Sequence, residues 1–220
     1  MAQKSSPYAI RVGYNKTWNN SFFSDNSEHK KSWLKKDKII RDYFKKNFPD
    51  VVKIKKEHVR EKIFVYVYIT NISLLIDKEG RDIDTILVDL YRELKDKEIS
   101  IKINLIEIKN DYLHAQSITN LICSQIKKRI HTRFVIKNVL SKVFLEKEIK
   151  GIKIEISGRL DGSEISQKRK FFQGKVPLST IDSDIEVGSN FVVSIYGTIG
   201  VKVIIYKGKF FTKNKKYVNT

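Results

Sequence analysis

The side chains best placed to do chemistry together in this sequence are cations. Lys168-Arg169-Lys170 run directly into Phe171-Phe172, and Arg159 follows Ser157-Gly158 at the end of an alternating apolar run. Lys127-Lys128-Arg129 form a second basic run, and Arg133 and Lys137 stand four residues apart, on one face of a helix. Cations at a sheet edge, with glycines that admit close approach, hold the phosphates of RNA. Groups for catalysis are poorly arranged by comparison. His29, His58, His114 and His131 are scattered without metal-ligand spacing. Cys123 lies on the apolar face of a helix and reads as a small core residue. Asp182, Asp184 and Glu186 share one strand face and read as strand-edge solubility. No metal, no cofactor and no enzymatic activity is expected.

Whole-chain charge points the same way. Against 43 Lys and Arg stand 25 Asp and Glu, a formal net charge of +18. Such a field repels itself, and nucleic acid is the polyanion that ordinarily offsets it. No apolar run is long enough to span a bilayer, no amphipathic surface anchor is evident, and the amino terminus reads as no cleaved signal, so no membrane partner is expected. One cysteine rules out a disulfide framework. With 41% hydrophobic residues in 220, the chain can bury one or two modest cores. The weight of Lys, Ile and Asn suggests an AT-rich genome, that of an organelle or a reduced bacterium.

Positioning these cations requires α+β architecture. Residues 1–28 are polar and turn-rich and read as an arm that packs back on the fold or on RNA. A basic amphipathic helix is predicted over 29–47, stopped by Phe48-Pro49-Asp50. Strands follow at 51–56 and 62–69, then a short apolar helical turn at 72–76. Ile83, Ile86, Leu87, Leu90 and Leu94 make one continuous helical stripe, and Ile99, Ile101, Ile103 and Leu105 alternate as a strand. Asn110 is read as the N-cap of a helix bearing Ile118, Leu121, Ile122 and Ile126; a further helix covers 132–146. Ile152, Ile154 and Ile156 mark a strand, and two more, at 191–195 and 201–206, are joined by a tight connection at Gly197-Thr198-Ile199-Gly200. These elements give a KH-type domain at 29–109, a second α+β domain with a mainly antiparallel sheet at 110–210, and a basic tail at 211–220.

The order αββααβ over residues 29–109 resembles a bacterial-type KH domain, in which a G-x-x-G loop clamps a nucleic-acid backbone. The loop here is Asp77-Lys78-Glu79-Gly80, with only the second glycine kept and two carboxylates added, so a weak grip on single strands is expected. The chain as a whole resembles the bacterial-type small-subunit ribosomal protein S three family. The resemblance is carried by Ala2-Gln3-Lys4 with Pro7 and by Arg11-Val12-Gly13. It continues through Ile106-Glu107-Ile108-Lys109, Lys150-Gly151-Ile152-Lys153, Ser157-Gly158-Arg159-Leu160 and Gly162-Ser163-Glu164-Ile165. Gly174-Lys175-Val176-Pro177-Leu178 and the run from Tyr196 to Val203 complete it, in the family's order.

The resemblance implies a structural protein of the small-subunit head, partnered by rRNA, by mRNA at the entrance channel and by neighbouring head proteins. Its place would be a ribosome, in a bacterial cytoplasm or in a mitochondrion or plastid. Expected nucleic-acid contacts are Gln3, Lys4, Arg11, Lys127, Lys128, Arg129, Arg133, Lys137, Arg159, Lys168, Arg169, Lys170, Lys175 and Lys202. The family's basic trio facing mRNA matches Arg133, Phe134 and Lys137, so one cation has become aromatic and the unwinding role is expected to be weakened. The family's G-G-A-E appears as Asp161-Gly162-Ser163-Glu164, a change that a non-glycine turn residue tolerates. The alternatives are an RNA-processing enzyme, which needs converging carboxylates or histidines, and a free-standing KH-type mRNA-binding regulator, which the broken glycine loop disfavours.

Overall fold

Two families of alternating apolar residues build two sheets, and each sheet has its own helices. The computed structural model describes residues 5–59, 62–70, 83–94 and 100–210. Gln3, Lys4, the expected helical turn at 72–76, the loop Asp77, Lys78, Glu79 and Gly80, and the tail at 211–220 lie outside those residues. The chain divides into Trp18–Lys109 on one side and Met1–Thr17 with Asn110–Thr220 on the other. The arm expected over 1–28 is thus divided after Thr17, because its first part is bound by the carboxy-terminal unit.

In the 18–109 unit, β1 (Asn20–Ser21), β2 (Val51–Val59), β3 (Lys62–Ile69) and β4 (Ser100–Glu107) form a sheet in that order. The β2–β3 pair is antiparallel, whereas β1–β2 and β3–β4 are parallel. Ile63, Val65, Val67 and Ile69 of β3 are buried at alternate positions. Against them pack Ile40, Tyr43 and Phe44 of α1 (Ser27–Asn47) and Ile86, Leu90 and Leu94 of α2 (Ile83–Leu94). Lys56 is nearly fully buried, and its ammonium donates to the Asp37 carbonyl and carboxylate, both at 2.7 Å. Burial pulls its pKa down to about 8, against the pull of the Asp37 partner.

In the other unit, an all-antiparallel sheet runs in the order β6-β5-β8-β7: β5 (Gly151–Gly158), β6 (Gln167–Gly174), β7 (Ser183–Ser194) and β8 (Gly197–Lys209). Ile152, Ile154, Ile156, Val201, Val203 and Ile205 line one face, each 2% exposed or less. Burying each such side chain contributes about 2 kcal/mol. That face receives Ile118 and Ile122 of α3 (Ala115–Lys127) and Val135, Ile136, Val139 and Val143 of α4 (Thr132–Leu145). Cys123 is buried in the same core, where burial pushes its thiol up to about 11. Gly188 sets how closely α3 lies on β7, since a Cβ there would stand 2.4 Å from the Ala115 carbonyl oxygen.

Several local expectations are corrected. Asn110 precedes a short 3-10 turn (Asp111–Leu113), and α3 begins only at Ala115. The hairpin turns at Ile195-Tyr196, with Ser194 paired to Gly197, so Gly197-Thr198-Ile199-Gly200 lie inside β8. Lys168-Arg169-Lys170, to which the sequence pattern assigns no element, lie in the first half of an edge strand, β6. Lysines on an edge strand deter sheet-to-sheet association, which explains a strand so rich in charge.

Candidate nucleic-acid interface

Strand register sorts the cations by face. Across the sheet, Lys170 pairs with Glu155, Glu155 with Lys202 and Lys202 with Ser189, all on the face opposite α3 and α4. One step along, Lys168, Ser157, Gly200 and Phe191 form a parallel row. Lys168 and Lys170 are exposed and Lys202 is half-buried, while Lys175 is exposed just past the end of β6. Lys153 shares the face; it pairs with Glu155 and lies 5.2 Å from the Phe172 ring centroid. Burial works to raise Glu155, but the hydrogen bond and charge of Lys153, with the charge of Lys168, outweigh it and hold the carboxylate below its usual range. The face is therefore cationic around one ionised acid, which spaces the cations and orients Lys153.

A second cationic surface forms where α3 passes into α4. Lys127, Lys128 and Arg129 are exposed, and Arg129 takes a left-handed φ of 61° that turns the chain. Arg133 and Lys137 are exposed on the outer face of α4, with Phe134, 59% exposed, beside them. The start of α4 is held by Asp161, itself left-handed at φ 55°. The Thr132 amide donates to its Oδ1 at 2.9 Å and the Thr132 hydroxyl at 2.6 Å. His131 and Arg169 stand 3.5 Å from its Oδ2. Burial opposes ionisation of Asp161, but the two bonds from Thr132 and the charges of His131 and Arg169 lower its pKa. A residue read from sequence as a tolerated turn substitution thus joins the two cationic surfaces. The only sequence signal for it is an aspartate where the chain needs a left-handed turn.

Two expected contacts are turned inward, and a third is braced at the rim. Arg11 is completely buried. Its guanidinium donates to the carbonyls of Ser183 (2.9 Å), Pro7 (2.6 Å), Leu178 (2.9 Å) and Thr180 (2.6 Å), so no donor faces a phosphate. Arg169 points to the helix side of the sheet, toward Asp161, and is partly withdrawn from the open face. Arg159 donates to its own turn at the Ser163 carbonyl (2.8 Å) and lies 5.5 Å from the Tyr196 ring centroid, half-exposed at the rim.

The acidic run is engaged within the fold. Tyr14 donates to Asp182 at 3.0 Å, Lys16 pairs with Asp184, and Lys207 (2.7 Å) and His114 (3.2 Å) hold Glu186. These carboxylates fix the arm and the α3–β7 contact, a role beyond the strand-edge solubility that their spacing suggests. For Glu186, burial pulls the pKa upward, but the His114 hydrogen bond and the Lys207 charge overcome it and bring the pKa to about 2.

The sequence is similar throughout to known proteins. Residues 122–205 match the model of the ribosomal protein S3 carboxy-terminal domain. Small ribosomal subunit protein uS3 of Spiroplasma citri is 34% identical over 215 residues, covering 97% of this chain and 84% of the relative. The protein of the same name from Carboxydothermus hydrogenoformans is 35% identical, with 98% of this chain and 96% of the relative covered. That from Exiguobacterium sibiricum is 31% identical over 100% and 99%. Identity at this level along the full chain, with both sheets in place, leaves one assignment: the chain belongs to the small ribosomal subunit protein uS3 family.

Proposed function

We infer that the chain is a structural constituent of the small ribosomal subunit, bound to rRNA in the ribosome. The observation that carries this reading is end-to-end similarity to bacterial proteins named small ribosomal subunit protein uS3, on a chain with a net charge of +18. The rRNA contacts are assigned to the open sheet face and its rim, through Lys168, Lys170, Lys175, Lys202 and Arg159. Arg133 and Lys137 are assigned to mRNA at the entrance channel, with unwinding weakened by Phe134. The 18–109 unit is read as the KH-type domain, a reading supported by α1, β2, β3, α2 and β4 in the order of that fold. Its loop Asp77-Lys78-Glu79-Gly80 is read as a poor clamp, because two carboxylates oppose a phosphate.

The test is co-sedimentation with purified small subunits, joined to rRNA binding as a function of salt. Five phosphate contacts release enough counterions to weaken binding roughly 100- to 1,000-fold between 50 and 200 mM salt. Exclusion from the subunit, or affinity independent of salt, defeats the assignment. Alanine at both Arg133 and Lys137 is expected to slow translation through structured mRNA while subunits still assemble. Equal slowing on unstructured mRNA would refute their placement on the mRNA path.

A further inference from the structure

The tip of the β7–β8 hairpin is the uncharged end of the open sheet face. Phe191, Val193, Ile195 and Tyr196 are 66%, 69%, 75% and 53% exposed, while the intervening Val192 and the facing Ile199 are buried at 8% and 4%. Together the four expose on the order of 500 Å² of largely apolar surface, the size at which patches on monomers are often functional. From Ser189 to Val201 the sequence has no Asp, Glu, Lys, Arg or His, in a chain that is 31% Asp, Glu, Lys and Arg. An uncharged centre with aromatic residues and a charged rim is the anatomy of a protein–protein contact. The rim is cationic: Arg159 lies over Tyr196, Lys202 pairs with Ser189, and Lys168 closes the row that ends at Phe191.

The backbone adds direction. β7 is the terminal strand of its sheet. At Ser189 the Gln116 side chain takes the place of a neighbouring strand, accepting from the Ser189 amide at 3.2 Å and donating to its carbonyl at 3.4 Å. The Phe191 amide donates to the Asn190 side chain at 2.8 Å. Val193 is the next position at which this edge turns outward, and it lies in the middle of the apolar patch.

We propose that this tip docks an extended, acid-flanked segment of another protein, laid as an added strand along the edge of β7 from Phe191 to Ser194. Main-chain bonds at Val193 supply register, the side chains of Phe191, Val193 and Ile195 supply apolar contact, and the positive field of the rim, shared with the proposed rRNA contacts, favours carboxylates over cations on the flanks. A second copy of the chain is a poor occupant, since +18 meets +18. RNA is a poor occupant of the centre, where no cation stands to receive phosphates.

The proposal is tested on the full-length chain by fluorescence anisotropy with a labelled peptide of alternating Val and Thr flanked by Asp and Glu. The wild type is expected to bind it, and a Lys-flanked version at least tenfold more weakly. Replacing Val193 and Ile195 together by Thr, which keeps β-propensity, is expected to weaken binding at least tenfold and leave rRNA affinity within twofold. Should that variant fail to fold, Ile195→Asp at the exposed turn is expected to show the same loss. Absence of binding by the wild type, or equal binding by the variants, overturns the proposal. Loss of rRNA affinity in the variants would assign the tip to RNA, and self-association of the wild type abolished by the variants would assign it to a second copy; either result also overturns it.

Discussion

Removing the Asp161 carboxylate tests whether a single side chain ties α4 to the basic sheet. In Asp161→Ala, the buried Thr132 amide and hydroxyl lose their acceptor, at a cost of about 1–2 kcal/mol for the missing cap. Alanine must also hold φ near 55°, which adds about 1 kcal/mol. Asp161→Gly removes the cap but not the conformational fit, so it should cost about 1 kcal/mol less than alanine. Asp161→Asn keeps an acceptor and tolerates the left-handed turn, losing only the charge toward Arg169 and His131, worth under about 1 kcal/mol. The expected order of stability is wild type, Asn, Gly, Ala. Urea denaturation reads the differences, and native-state hydrogen exchange should show faster opening confined to the first turn of α4. Because the folded carboxylate has a lowered pKa, its contribution is present above the ordinary Asp range and fades as pH falls through and below it. A glycine variant as stable as the wild type would show that the cap contributes nothing, and equal Gly and Ala variants would refute the conformational part.

Arg11→Ala strips donors from four carbonyls and is expected to lower stability by about 3–5 kcal/mol, with Arg11→Lys recovering little because an ammonium cannot reproduce the fork; a variant of normal stability but lower rRNA affinity would contradict its structural role. Glu186 is ionised in the fold down to about pH 2, so its stabilisation is complete above about pH 4.5 and is lost as pH falls from there toward 2. With a quarter of that side chain exposed, the loss is put at about 1–2 kcal/mol; acid titration of Glu186→Gln should lack it, and an identical acid transition in the variant would refute the assignment. Gly188→Ala forces a Cβ into the Ala115 carbonyl and should cost at least about 2 kcal/mol in thermal denaturation; an unchanged melting temperature would mean that α3 retreats freely from β7.

Periodicity made much of the architecture legible. The stripe through Leu90 and Leu94 and the alternation at Ile152, Ile154 and Ile156 each lie within one element, where pattern and burial coincide. β6 is not legible in the sequence because its pattern is carried by Arg169, Phe171 and Gln173, whose half-burial is hidden among exposed lysines. The hairpin turn precedes the glycine-bounded segment that suggests it, because exposed apolar residues, Ile195 and Tyr196, occupy the turn in place of polar ones. Cationic candidates at 127–137 and 168–170 were readable from composition, and most stand on the surface. What could not be read were long-range partnerships. Nothing local distinguishes Arg11, bonded to carbonyls more than 160 residues away, from an exposed arginine, or marks Asp161 as the cap of a helix that begins 29 residues earlier.

The clasp around Arg11 also orders events during synthesis. The arm leaves the ribosome before its carbonyl partners at Leu178, Thr180 and Ser183, which are made only after α1 to α4 and about four-fifths of these 220 residues. Meanwhile residues 18–109 carry their own core and can complete it, since domains emerging from the ribosome generally fold as units. Once that unit is formed, it shortens the flexible path between arm and partners, and the entropy of closing such a path grows only slowly with length. Arg11 therefore remains hydrated until synthesis has passed Ser183, and its burial reports that the start of β7 has been made. A chain cut short before Leu178 keeps a solvated cation at Arg11, marking it physically as unfinished.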